Sequence, residues 1–67
     1  MKQYIVNYSM RFIDGQFINK LYHANKVFDN WHDADNFKSL CEAGNIFTRP
    51  DSNNDRYKTE DITLSAI

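Results

Sequence analysis

The chain has one cysteine, one proline and two glycines in 67 residues, and no apolar run nears the ~20 residues of a membrane-spanning helix. A lone Cys41 cannot close an internal disulfide, which points to a reducing compartment or to no redox role. No Cys-x-x-Cys or His-x-x-x-His spacing offers a zinc ligand set. His32 and Cys41 stand nine positions apart, about 900° around a helix and so half a turn out of register, which excludes a Cys–His dyad. Asp33 and Asp35 diverge by about 200° and do not form an acid–base pair. With Gly15 placed in a turn and Gly44 at a helix end, no glycine-rich phosphate loop remains. The opening Met-Lys-Gln lacks the pattern of a signal peptide. These absences lead to an expectation of a soluble, cytoplasmic, non-enzymatic protein without cofactor, metal or membrane association.

What the chain does have is aromatic and β-branched residues, with aromatics at 15%. Tyr4 to Ile13 and Gln16 to Ala24 are two β-rich runs separated by Asp14-Gly15. Asp-Gly in that position signals a two-residue type I′ hairpin turn, since glycine supplies the positive φ such turns need. The register this predicts sets Phe12 opposite Phe17, Met10 opposite Asn19, Tyr8 opposite Leu21 and Val6 opposite His23. Tyr4, Val6, Tyr8, Met10, Phe12, Phe17 and Leu21 then share a face that must be covered, while Asn7, Ser9, Arg11, Gln16, Lys20, Tyr22, Ile5 and Ile18 share the other.

From Trp31 to Ala43 the period changes. Trp31, Ala34, Phe37, Leu40 and Cys41 recur at helical spacing, Asn30 is placed as N-cap with Asp33 at N3, and Gly44 ends the helix. Cys41 falls on the apolar side and reads as a small buried hydrophobe. Asn45–Arg49 reads as a short strand stopped by Pro50, Pro50–Asp55 as a polar turn, and the run from Lys58 or Ile62 onward as a last strand. The expected fold is α+β: one domain over 1–67, a two-layer β-β-α-β-β arrangement with an antiparallel sheet of order 4-3-1-2. Its single helix packs on one face, after a right-handed crossover from strand two to strand three.

Charge is unevenly placed. Residues 1–28 carry Lys2, Arg11, Lys20 and Lys26 against Asp14, a net of +3. Residues 29–67 carry four basic against eight acidic side chains, a net of −4. Two contact surfaces follow. Arg11, Lys20 and Tyr22 on the uncovered sheet face would suit a single-stranded nucleic acid. Asp29, Asp33, Asp35 and Glu42 on the helix would suit a basic groove on a protein. Asparagine, lysine, isoleucine and tyrosine are plentiful, a bias of A+T-rich coding DNA. In size, hairpin, single helix and composition the chain resembles the small stand-alone proteins that phages encode against host defence, anti-CRISPR proteins included. That resemblance implies steric blocking of a host protein or ribonucleoprotein complex that handles nucleic acid, with Arg11, Lys20 and Tyr22 or the helix carboxylates in contact. Two alternatives stand beside it: a nucleic-acid-binding sheet, and a structural subunit that self-associates, for example as a homodimer.

Overall fold

The structure is a computed structural model that describes residues 2–50 and 54–67. It contains β1 (Tyr4–Phe12), a single 3-10 turn (Gly15–Phe17), β2 (Leu21–Phe28), α1 (Trp31–Glu42), β3 (Phe47–Thr48) and β4 (Arg56–Ala66). The fold is α+β, with one antiparallel four-stranded sheet of order β2-β1-β4-β3 and one helix on one face. The class and the single helical layer are those expected. The two C-terminal strands, however, exchange places relative to the expected order 4-3-1-2: the long β4 lies beside β1, and β3 is the edge. The reason is length. β4 bridges β1 from Tyr4↔Ala66 to Phe12↔Tyr57, whereas two residues of β3 cannot satisfy a nine-residue strand. As β2 and β4 both run antiparallel to β1, the chain crosses over from β2 through α1 to β4, with β3 inside that connection.

The helix forms as its sequence dictates. The Asn30 side chain accepts the Asp33 N–H at 2.9 Å and donates through Nδ2 to the Asp33 carboxylate at 2.8 Å, so cap and third residue satisfy each other. Gly44, at φ +78, ends it. Ala34 and Cys41 are buried beneath the helix, Phe37 meets Tyr8 and Phe28 edge-on or tilted at 5.5 and 5.6 Å, and Thr59 donates its hydroxyl to the Cys41 carbonyl at 2.9 Å. With Val6 and Phe12 these residues make a small core, in which a buried Val or Phe contributes about 1.5–3 kcal/mol.

The first connection departs from the expectation. Asp14-Gly15 does not form a two-residue turn; the chain runs through the 3-10 turn and closes at Asn19, whose φ is +67. Phe12 N–H donates to the Lys20 carbonyl and Asn19 N–H to the Phe12 carbonyl, at 3.0 and 2.9 Å. Partners distant in sequence decide this. The buried Asp55 carboxylate accepts the Gln16 N–H at 3.0 Å, and Arg56 pairs with Asp14. The register becomes Met10↔Tyr22 instead of Met10 opposite Asn19, a shift of three residues. An odd shift turns every β2 side chain to the other face. Tyr22, Ala24, Lys26 and Phe28 therefore lie on the helix side, and Leu21, His23, Asn25 and Val27 on the helix-free side. Along β4, Asp61 at φ +53 forms a bulge where Asn7↔Thr63 gives way to Ser9↔Glu60. Within the turn anticipated at Pro50–Asp55, residues 51–53 lie outside the described residues.

Candidate functional site

The helix-free face carries Ile5, Asn7, Ser9 and Arg11 on β1, Leu21, His23, Asn25 and Val27 on β2, and Lys58, Glu60, Thr63 and Ser65 on β4. Arg11 is not free there. Its guanidinium holds Glu60 in a two-point hydrogen bond, closest at 2.8 Å, which keeps the Glu60 carboxyl below its usual range and raises the Arg11 value. Tyr22 lies on the opposite side of the sheet from Arg11, and Lys20 sits exposed where the loop closes. The basic and aromatic trio expected on one face is thus not assembled.

The helix carboxylates are also dispersed. Asp29 accepts from Gln3 at 3.2 Å, Asp33 is engaged in the cap, and Glu42, at the far end of the helix, pairs with Lys38 at 3.0 Å. Asp35 is half-buried.

One constellation on the helix-free face has the residue types of nucleophilic chemistry. Ser9 Oγ and His23 Nδ1 are hydrogen-bonded at 2.8 Å, and Glu60 stands opposite Ser9 on β4. It does not work as a triad. Ser9 is 2% exposed, and Glu60 is committed to Arg11 rather than orienting the imidazole. Cys41 is equally sealed, and burial pushes its thiol up, away from the thiolate.

A better site lies beyond the C-terminal end of α1, where the helix side of the sheet is left open. Met10, Phe12, Phe17, Tyr22 and Arg49, with the edge of His23, line a groove of about 320 Å³. The Phe12, Phe17 and Tyr22 rings meet pairwise at 5.5, 5.8 and 5.8 Å. Phe12 continues to Tyr57 at 5.3 Å, and Tyr57 stacks on Phe47 at 5.6 Å. The Arg49 guanidinium lies 5.0 Å from the Phe17 ring centre and 3.9 Å from the Asp55 carboxylate. Asp55 thus sets both walls, holding the loop that presents Phe17 and the strand end that presents Arg49. A second, smaller recess of about 160 Å³ continues along the same side between Tyr8, Lys26, Phe37 and Tyr57. Sequence reasoning missed the groove because it put Phe17 and Tyr22 on opposite faces. The spacing of Phe12, Phe17 and Tyr22 was the available signal, and the three-residue register shift hid it.

Among the described residues, no helix is long and apolar enough to cross a membrane, and no group of three or more His, Cys, Asp or Glu is placed to hold a metal ion. Comparison of the chain with protein-family models, with curated proteins and with solved structures finds no match in any of the three.

Proposed function

We propose that this is a non-enzymatic protein that acts by binding another protein, seating an apolar or aromatic side chain of its partner in the groove between Phe12, Phe17, Tyr22 and Arg49. The observation that carries the reading is the ring cluster at the surface, in which Tyr22 is 42% exposed, Phe17 is half-buried and Phe12 forms the buried floor, with a cation stacked at its rim. Aromatic and arginine anchors of this kind dominate protein interfaces. The sealed Ser9 and Cys41 support a binding role over a catalytic one. A protein partner is favoured over nucleic acid because Arg11, Lys38, Arg49 and Arg56 each face a carboxylate within the chain, which leaves a small cationic footprint. The resemblance in general plan to phage inhibitors of host defence gives this activity its most specific form: steric blocking of a host complex that handles nucleic acid.

The test is retention of a host protein from a bacterial lysate by the immobilised chain, repeated with Tyr22→Ala and Phe17→Ala after circular dichroism shows both folded. Losing one buried ring contact weakens binding by about tenfold or more, so the retained protein should be lost from both variants. Equal retention by the variants, or no retained protein, would refute the groove. Capture of an oligonucleotide with a steep salt dependence that Lys20→Ala flattens would instead assign a nucleic-acid surface.

A further inference from the structure

The two edges of the sheet are built differently. On one side β3 pairs only with Arg56 and Tyr57 and Pro50 follows it closely, while the rest of the outer margin of β4 is broken by the bulge at Asp61, so that edge offers no long unbroken run to pair with. β2 is eight residues long, holds no proline, keeps unbroken register with β1, and is exposed at every position except Ala24 and Phe28. Its free backbone groups can be assigned. Phe12 N–H donates to the Lys20 carbonyl, and alternate residues of an antiparallel strand bond to the same neighbour. Tyr22, Ala24, Lys26 and Phe28 therefore turn their amides and carbonyls to β1, while Leu21, His23, Asn25 and Val27 turn theirs outward.

We infer that β2 pairs with β2 of a second copy of this chain, antiparallel about a two-fold axis at Ala24, joining two four-stranded sheets into one of eight strands. Side-chain complementarity selects this register. With the axis at Ala24, Leu21 faces the partner's Val27, Tyr22 faces the partner's Lys26 and His23 faces the partner's Asn25. Leu21 and Val27 are exposed apolar residues, at 41% and 46%, on the helix-free side, and the axis covers both twice. Tyr22 brings a further ring to the side of the partner's Lys26, whose ammonium already lies over Phe28 and Phe37 of its own chain. Moving the axis to His23 sets Lys20 opposite the partner's Lys26, and moving it to Asn25 sets Leu21 opposite the partner's Asp29. Both registers lose the Leu21–Val27 match; the first opposes like charges, and the second sets Tyr22 opposite the partner's Phe28 but leaves Leu21 facing a carboxylate. The helix rests mainly over β1 and β4 and meets β2 at Phe28 and at Lys26, whose ammonium lies over Phe37, so the backbone from Leu21 to Asn25 lies open to the incoming strand. The pairing shares Tyr22 and His23 with the rim of the groove but does not use Phe12, Phe17 or Arg49.

Sedimentation equilibrium of the full chain, from about 10 μM to about 1 mM, should show twice the monomer mass at the upper end. Leu21→Lys and Val27→Lys should each weaken the dimer by about tenfold or more, because each substitution removes two symmetric contacts. Register is read by cross-linking. Ala24→Cys should oxidise to a disulfide dimer, since the axis brings the two Cα atoms to about 4.5 Å, within disulfide range. Val27→Cys should not, its copies lying about 20 Å apart. Phe17→Ala should leave the dimer intact, which separates failure here from failure of the groove. A folded monomer across the whole range, a dimer indifferent to both lysine variants, or cross-linking through Val27→Cys but not Ala24→Cys would overturn the inference.

Discussion

Gly15→Ala tests how the first connection is held. At Gly15, φ is +81, and a Cβ built there lies 2.1 Å from Asp55 Oδ1 and 2.6 Å from the Asn54 carbonyl oxygen. The left-handed backbone alone costs alanine about 1–2 kcal/mol. The contact distance requires the Asp55 carboxylate to move, and that carboxylate, 1% exposed, then loses the Gln16 N–H, a further ~1–3 kcal/mol for a buried group deprived of its partner. The lower conformational entropy of unfolded alanine returns ~0.4–1 kcal/mol. The net expectation is a loss of about 2–4 kcal/mol, or roughly 10–30 °C in Tm for a domain of this size. Gly44→Ala is the built-in control: φ is +78, but nothing lies within 4 Å of the added Cβ, so it should show the backbone cost alone, about 1 kcal/mol. Urea unfolding followed by circular dichroism at both sites measures the difference. If Gly15→Ala is no worse than Gly44→Ala, Asp55 does not hold the loop, and the explanation given for the shifted register fails.

Asn30→Ala removes the acceptor for the Asp33 amide and should lower stability by about 1 kcal/mol in the same urea assay; no change would mean that the cap contributes nothing to the helix. Because Arg11 holds the folded Glu60 carboxyl below its unfolded value, the stability that pair contributes is present at neutral pH and lost as pH falls through the folded value. Wild type should therefore lose its advantage over Glu60→Gln as pH falls below the ordinary carboxylate range, and added salt should shrink that advantage, as for any exposed pair. Cys41, buried and with its thiol pushed up by that burial, should be inert to a thiol reagent in the native protein at neutral pH and react fully in urea. Fast native labelling would show that the helix seam opens.

The helix was legible because its signals are local: Asn30, Asp33 and Gly44 act within one turn of the residues they cap, and Ala34, Phe37 and Cys41 repeat at the helical period. The strand runs were legible for the same reason. The register was not, because it depends on a carboxylate about forty positions downstream: Asp55 accepts the Gln16 amide and draws Asp14-Gly15 out of the turn its dipeptide favours. The shift in register propagates from there. Tyr22 lies on the helix side, Arg11 pairs with Glu60 instead of a ring, and Tyr22 joins Phe12 and Phe17 in the groove. The order of the last two strands was hidden similarly, since only the two-residue length of β3 determines that β4 takes the inner place.

The pairing of β1 with β4 joins Tyr4 to Ala66, residues 62 positions apart in the chain. A nascent chain can zip β1 to β2 and wind α1 long before β4 emerges, and until then one flank of β1 lies bare in the crowded space beside the ribosome. Such distant pairings close slowly. Closing the β1–β4 seam should therefore limit the folding rate of this protein more than forming the helix or the hairpin does.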